Sequence, residues 1–307
     1  MTDHVEDPGG RARALALIAH PPTDMREDVD HASLVRRMPA LGDVAVEDLA
    51  IVGPHGPIPA RAYRGRPDSD RGLVWVHGGA FIGGGLDQPE SHWVALSLAS
   101  RGIRVLAVDY QKARQGVRHP VLSDEVLAAW IAAAGGAVLG VPTDRLHLGG
   151  ASAGANLAAG VALRLAPSDP QPASAILVYP LLHGVVPEAS ADAAAAIARL
   201  PEAERFTPGF IRTLSVNYAG TTAGLIDPIA FPANGRLDSF PPAYVLNAEA
   251  DSLRPSGESF AAELAAAGRR HAVEFEPGTR HGYLDDPYAP AATRTLDRIK
   301  DWIVRMS

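Results

Sequence analysis

The string Gly150-Ala151-Ser152-Ala153-Gly154 sets a serine between a short strand-like run, Arg145 to Gly149, and an alanine-rich stretch of helical pattern. A serine hydroxyl is a weak nucleophile at neutral pH, and it becomes reactive when a sharp strand-to-helix turn exposes it to a histidine that takes its proton. Crowding at such an elbow favours glycine at the flanks, here Gly150 and Gly154. The free amides and positive dipole end of the following helix face the place where an oxyanion would form, which makes the Ala153 N–H a natural donor. Small residues between strand and helix also serve close packing or phosphate binding. The phosphate alternative fails on detail, because no Lys-Ser/Thr pair follows Gly154 and no Gly-x-Gly-x-x-Gly is present. A packing turn stays open as the other reading.

Two further groups stand where such a serine would need them. Glu249-Ala-Asp251-Ser-Leu-Arg254 follows one strand-like run and His281-Gly-Tyr283 follows the next, so the order is Ser, Asp, His. In open parallel sheets functional groups collect past the carboxyl ends of strands, and all three residues fall there. Ser152 would attack, His281 would act as base and then acid, and Asp251 would hold the imidazole in its tautomer. Glu249 is a rival acid, since two residues apart in an extended stretch means the same side. Asp251 as a helix N-cap and His281 as a turn residue are the plainer alternatives. Upstream, His77-Gly78-Gly79-Ala80-Phe81 follows Leu73 to Val76. Small residues there let several N–H groups aim at one point, so Gly79 and Ala80 with Ala153 would form an anion cradle, with Gly83 to Gly85 as its rim.

The elements that must position these residues read as an alternation of β-rich and helical runs, which favours a mostly parallel sheet flanked by helices. Expected strands are 44–52, 58–63, 73–76, 104–108, 145–148, 175–179, 243–246 and 272–275, the first two a hairpin across Gly53 to Gly56. Expected helices are 92–100, 123–134, 153–165, 257–267 and 290–305, the last with Leu296, Ile299 and Ile303 on one stripe for docking onto the sheet. Between Tyr179 and Ala243 roughly 60 residues carry helical signals and no clear strand, too long for an ordinary connection. They are expected to sit above the sheet as an insertion. Phe206, Phe210, Ile211 and Leu214 form an apolar face there, read as internal packing of the insertion in preference to substrate contact. The helical pattern from Arg11 to Met38 could fold over the same edge.

Composition narrows the chemistry. The 307 residues, 47% of them hydrophobic, suit one globular core plus an insertion. A net charge of −7 argues against a nucleic-acid partner. Lys112, Arg114 and Arg118 are read as a solvated loop. With no cysteine there is no disulfide, thiolate nucleophile or thiolate zinc site, and the eleven histidines have no metal-type spacing, so neither metal nor other cofactor is expected. No apolar run reaches a bilayer span and the start has no secretory pattern, so a cytoplasmic location without membrane insertion is expected. Subunit number is left open.

His77-Gly-Gly-Ala-Phe81 resembles the His-Gly-Gly-Gly motif of the hormone-sensitive-lipase-like family of α/β hydrolases, a bacterial group of carboxylesterases. Gly150-Ala-Ser-Ala-Gly-Ala-Asn156 resembles its Gly-Asp-Ser-Ala-Gly-Gly-Asn, and Val108-Asp-Tyr110, Asp251-Ser-Leu-Arg254 and His281-Gly-Tyr283 match further landmarks in order. The likeness spans about residues 44 to 305. It implies an α/β-hydrolase fold with an eight-stranded, mostly parallel sheet and a helical cap: residues 1–43 and 183–226 in the cap, 44–182 and 227–307 in the core. It also implies a Ser152, Asp251, His281 triad, oxyanion donors at Gly79, Ala80 and Ala153, and support from His77, Gly78, Gly150 and Gly154. The expected reaction is hydrolysis of short- to medium-chain acyl or aryl esters through an acyl-serine. Amide, lactone and acyl-transfer chemistry share that machinery, and a non-catalytic receptor on the same scaffold is the competing class. The chain departs from the family at Ala151, at Ala80, and after Asp109-Tyr110, where Arg-Leu-Ala-Pro-Glu is replaced by Gln111-Lys-Ala-Arg-Gln115.

Overall fold

The alternation of strand and helix patterns resolves, in a computed structural model that describes residues 7–20, 28–66 and 69–307, into one twisted sheet with helices on both faces. Helices α1 (Pro8–Ala19) and α2 (His31–Arg37) precede the hairpin of β1 (Ala45–Gly53) and β2 (Gly56–Arg64). Then come β3 (Gly72–Val76), α3 (Pro89–Ser100), β4 (Arg104–Val108), α4 (Val121–Ala134), β5 (Leu146–Ala151), α5 (Ala153–Arg164) and β6 (Ala175–Val178). The insertion carries α6 (Ala191–Ala198) and α7 (Pro208–Ala219), after which β7 (Ala243–Ala250), α8 (Arg254–Ala266), β8 (His271–Arg280) and α9 (Pro290–Met306) complete the chain.

The strand order is β1-β2-β4-β3-β5-β6-β7-β8, with β2 antiparallel to both neighbours and β3 to β8 all parallel. A parallel sheet must be covered on both faces, which explains why β3, β5 and β6 are buried along their whole length. Trp75, Trp93, Leu296, Ile299 and Ile303 pack on the side of α3 and α9, while Val74, Trp130, Leu157 and Val161 pack on the side of α4 and α5. The stripe expected on α9 is therefore the docking face. Each of its large apolar side chains contributes about 1.5 to 3 kcal/mol on burial.

Boundaries differ from expectation where proline acts. Helix α3 begins at Pro89 rather than His92, because proline fits the first helical turn, where no amide partner is needed. Helix α8 likewise begins at Arg254, with Pro255 in its first turn. Strand β8 continues past Phe275 through Pro277-Gly278 to Arg280. It is an edge strand, so the missing proline amide breaks no ladder bond on its open side. Its pairing with β7 shifts register between Ala248 and Ala250.

Above the carboxyl ends of the strands, α1 lies on α7. The Arg13 guanidinium sits 4.4 Å from the Phe210 ring centre and donates to the Ala203 and Arg205 carbonyls. Asp7 caps α1 through Gly10 N–H and also accepts from Gly209 N–H at the start of α7. Of the segment expected to complete the cap, residues 1–6 and 21–27 lie outside the described residues. Among the described residues, no helix is long and apolar enough to cross a membrane and no group of three or more His, Cys, Asp or Glu could hold a metal.

Candidate active site

Strands β3 and β5 are parallel neighbours in which Val76 stands opposite Gly150, so the loop from His77 and the turn at Ser152 leave the sheet side by side. Ser152 has φ +53° and ψ −119°, a conformation that side chains rarely adopt and that persists only when the surroundings impose it. They do so here through close backbone approach: a Cβ on Gly150 or Gly154 would overlap the Val76 carbonyl oxygen. The Ser152 amide donates to Val178 O on β6 at 2.9 Å, and α5 begins at the next residue.

Ser152 Oγ lies 3.0 Å from His281 Nε2, and His281 Nδ1 lies 2.7 Å from Asp251 Oδ2. A carboxylate accepts only, so Nδ1 carries the proton, and the bare Nε2 accepts from the serine hydroxyl. Asp251 is fully buried, and its other oxygen accepts Leu253 N–H at 2.8 Å. Glu249, the rival acid, is turned elsewhere: its oxygens take Arg199 at 3.0 Å and Gly278 N–H at 2.6 Å. The imidazole is held edge-on by the Tyr179 and Phe206 rings, with centres 4.9 and 5.0 Å away.

Gly79, Ala80 and Ala153 border the same cavity as Ser152. Gly79 has φ +121°, and a Cβ there would overlap Gly83 O, so only glycine fits this bend. Its carbonyl accepts from the Ile82 and Gly83 amides, closing the expected glycine rim into a turn. Gly78 is fixed from behind, where its N–H donates to Glu90 Oε1 at 2.6 Å and Tyr179 OH donates to Glu90 Oε2 at 3.2 Å. Glu90 is a buried carboxylate that the sequence did not single out, since it precedes the expected helix start at His92.

The cavity measures about 310 Å³, with Leu17 of α1 and Phe206, Phe210, Ile211 and Leu214 among its lining. The face read as internal packing of the insertion therefore also meets the space over Ser152. Packing and contact are both served, since Phe210 meets Arg13 of α1 and also borders the cavity at Ser152. A second expectation is overturned at Lys112, whose side chain is only 16% exposed and pairs with Asp109 at 2.6 Å. Arg118 is exposed, as a solvated loop requires, but Lys112 turns back under the loop that begins at His77.

The family described as the alpha/beta hydrolase fold matches residues 73–285. An ethyl acetate hydrolase of Pseudomonas putida is 30% identical over 255 residues, covering 78% of this chain and 76% of the relative. Esterase LipI of Mycobacterium tuberculosis is 32% identical over 277 residues, covering 85% and 82%. Among solved structures, an esterase of Pyrobaculum calidifontis superposes with a TM-score of 0.76 at 26% identity, covering 97% of this chain and 91% of that one.

Proposed function

Because the chain belongs to the hormone-sensitive-lipase-like family of α/β hydrolases, we propose that it hydrolyses carboxylic esters with Ser152 as nucleophile, His281 as general base and acid, and Asp251 as the residue that orients and charges the imidazole. The observation that carries this reading is the unbroken chain from Ser152 Oγ through His281 to Asp251, at 3.0 and 2.7 Å. Oγ adds to the acyl carbonyl while Nε2 takes its proton. The oxyanion is held by the amides of Gly79, Ala80 and Ala153, each donor contributing about 3 to 4 kcal/mol in the transition state. Nε2 then returns the proton to the departing alcohol, and a water deprotonated by the same nitrogen releases the acid from the acyl-serine.

Substrates are short- to medium-chain acyl or aryl esters. This is supported by a cavity of about 310 Å³ with a roof of Phe206, Phe210, Ile211 and Leu214, and by relatives named as an ethyl acetate hydrolase and an esterase. Residues 183–226 with the N-terminal helices form the cap in this reading, and the location is cytoplasmic, which cell fractionation tests. The competing receptor reading is disfavoured by a histidine within hydrogen-bonding reach of the serine. Ser152→Ala tests the activity: turnover of p-nitrophenyl acetate is expected to vanish with the melting temperature nearly unchanged. Persistent turnover in the purified variant refutes it.

A further inference from the structure

Lys112 occupies the rebuilt loop after Asp109-Tyr110, and its ammonium faces three acceptors: Asp109 Oδ1 at 2.6 Å, the Tyr110 carbonyl, and His77 Nε2 at 3.2 Å. Three protons meet three acceptors, and the Asp109 carboxylate opposes the burial that pulls the Lys112 pKa below its ordinary value. The ammonium nitrogen also lies 4.3 Å from the centre of the Tyr110 ring, which stacks on His77 with centres 4.5 Å apart.

The opposite edge of the imidazole fixes its tautomer. His77 Nδ1 lies 2.6 Å from the Gly78 carbonyl oxygen, which can only accept, so Nδ1 carries the proton. Burial, reinforced by the Lys112 charge, pulls His77 below its ordinary pKa, so Nε2 is bare. A bare Nε2 would otherwise look at Asp109 Oδ1 at 3.4 Å, lone pair against carboxylate. Lys112 stands between the two and bonds both. The Gly78 carbonyl and the Gly79 N–H belong to one planar trans peptide and point in opposite directions. Holding the carbonyl toward His77 therefore holds the Gly79 amide toward the cavity beside Ser152.

We propose that Lys112 is a positioning residue for the oxyanion loop: by capping His77 Nε2 it locks the Nδ1–H tautomer that orients the Gly78–Gly79 peptide. The proposal rests on the reading of Gly79 as an oxyanion donor. Other charged or titratable groups facing this assembly are Glu90, which holds Gly78 N–H from behind, Tyr110, Arg114, and Glu125, which accepts from Gln111 N–H and its side-chain amide at 2.6 Å. None of them bonds Nε2. With Lys112 removed, His77 faces Asp109 directly and takes up a proton at Nε2. At higher pH the neutral ring keeps Nε2–H toward Asp109 and gives up Nδ1–H, which leaves the loop without its lock.

Lys112→Met in the full chain tests this through kcat and KM for p-nitrophenyl acetate across neutral and alkaline pH. The expected result, above the pH at which His77 gives up its second proton, is a fall in kcat of roughly ten- to a hundredfold with KM changed by less than about twofold, because the donor acts on the transition state. Burial pulls the Lys112 pKa below its ordinary value, so the parent has its own alkaline limit, and in Lys112→Met the decline should begin at lower pH than in the parent. Asp109→Asn/Lys112→Met should recover most of kcat and lose that decline, since the asparagine amide can donate to Nε2. Lys112→Gln, which keeps a donor without the charge, should stay close to the parent and serves if the methionine variant folds poorly. Nitrogen NMR of the imidazoles in a Ser152→Ala background should show His77 with a bare Nε2, and a protonated Nε2 once Lys112 is methionine. An unchanged His77 signal, an unchanged pH profile, or a loss shared by KM and melting temperature that the double variant fails to restore would overturn the proposal. Turnover surviving in Ser152→Ala would instead remove the catalytic reading itself, whatever Lys112 does.

Discussion

Glu249 and Asp251 stand two residues apart at the end of one strand, yet only Asp251 meets His281, at 2.7 Å, while Glu249 is taken up by Arg199 and the Gly278 amide. The register shift of β7 against β8 between Ala248 and Ala250 falls just before Asp251, where the side chains part.

Asp251→Asn is therefore expected to lower kcat about 10⁴-fold by favouring the wrong tautomer of His281, with the fold kept. Glu249→Gln is expected to stay within about threefold, since it loses only contacts at the surface. Steady-state kinetics of the two purified variants decide, and a more damaging Glu249→Gln would reverse the assignment.

The roof should set acyl length. Phe210→Ala opens space beside Ile211 and Leu214 and is expected to move the preference toward longer acyl chains, while Leu214→Trp narrows it toward acetate. Rates over a graded series of p-nitrophenyl esters check this, and profiles matching the parent in both variants would count against α7 as the cavity lid.

Backbone bend and catalysis are tied at Gly79, where φ is +121° and an added Cβ would meet Gly83 O. Gly79→Ala should cut kcat at least tenfold with little change in KM, by shifting an oxyanion donor. Ala80→Gly, which relieves a residue already at φ +54°, should remain near the parent rate. Equal rates for both variants would mean that this loop holds no transition-state charge.

Two buried imidazoles make stability fall in mild acid. His147 is held to about 4 by burial and by Arg71, and His92 to about 4 by burial, then by Arg61 and His31. Their ordinary value is about 6.5. The unfolded chain then binds more protons between these limits, so stability is full above about pH 6.5 and is lost as pH drops toward 4. His147 bridges Ser174 and Ser307 at 2.8 and 3.0 Å. Melting temperature followed from neutral to mildly acidic pH should fall, and His147→Gln should flatten that fall. A pH-independent melting temperature in the parent would contradict it.

The elbow, the chain order of Ser152, Asp251 and His281, and the eight strands were legible because each rests on local chemistry: glycines where backbones touch, apolar runs where a parallel sheet is buried. What stayed hidden depends on contacts between distant segments. Glu90 lay ahead of the expected helix start at His92, and only the approach of Gly78 gives it a role. Lys112 looked solvated because a lysine grouped with Arg114 and Arg118 carries no local sign of the Asp109, Tyr110 and His77 acceptors that fold around it. The far half of β8 was masked by Pro277-Gly278, which breaks the strand pattern without breaking an edge strand.

The most direct measurement is time-dependent labelling of the folded protein by a fluorophosphonate, read by intact mass and peptide mapping. The account predicts a single adduct on Ser152, formed as p-nitrophenyl acetate turnover is lost and slowed strongly in His281→Ala. A protein that hydrolyses the ester while Ser152 stays unlabelled, or that takes the label at another residue, would contradict it.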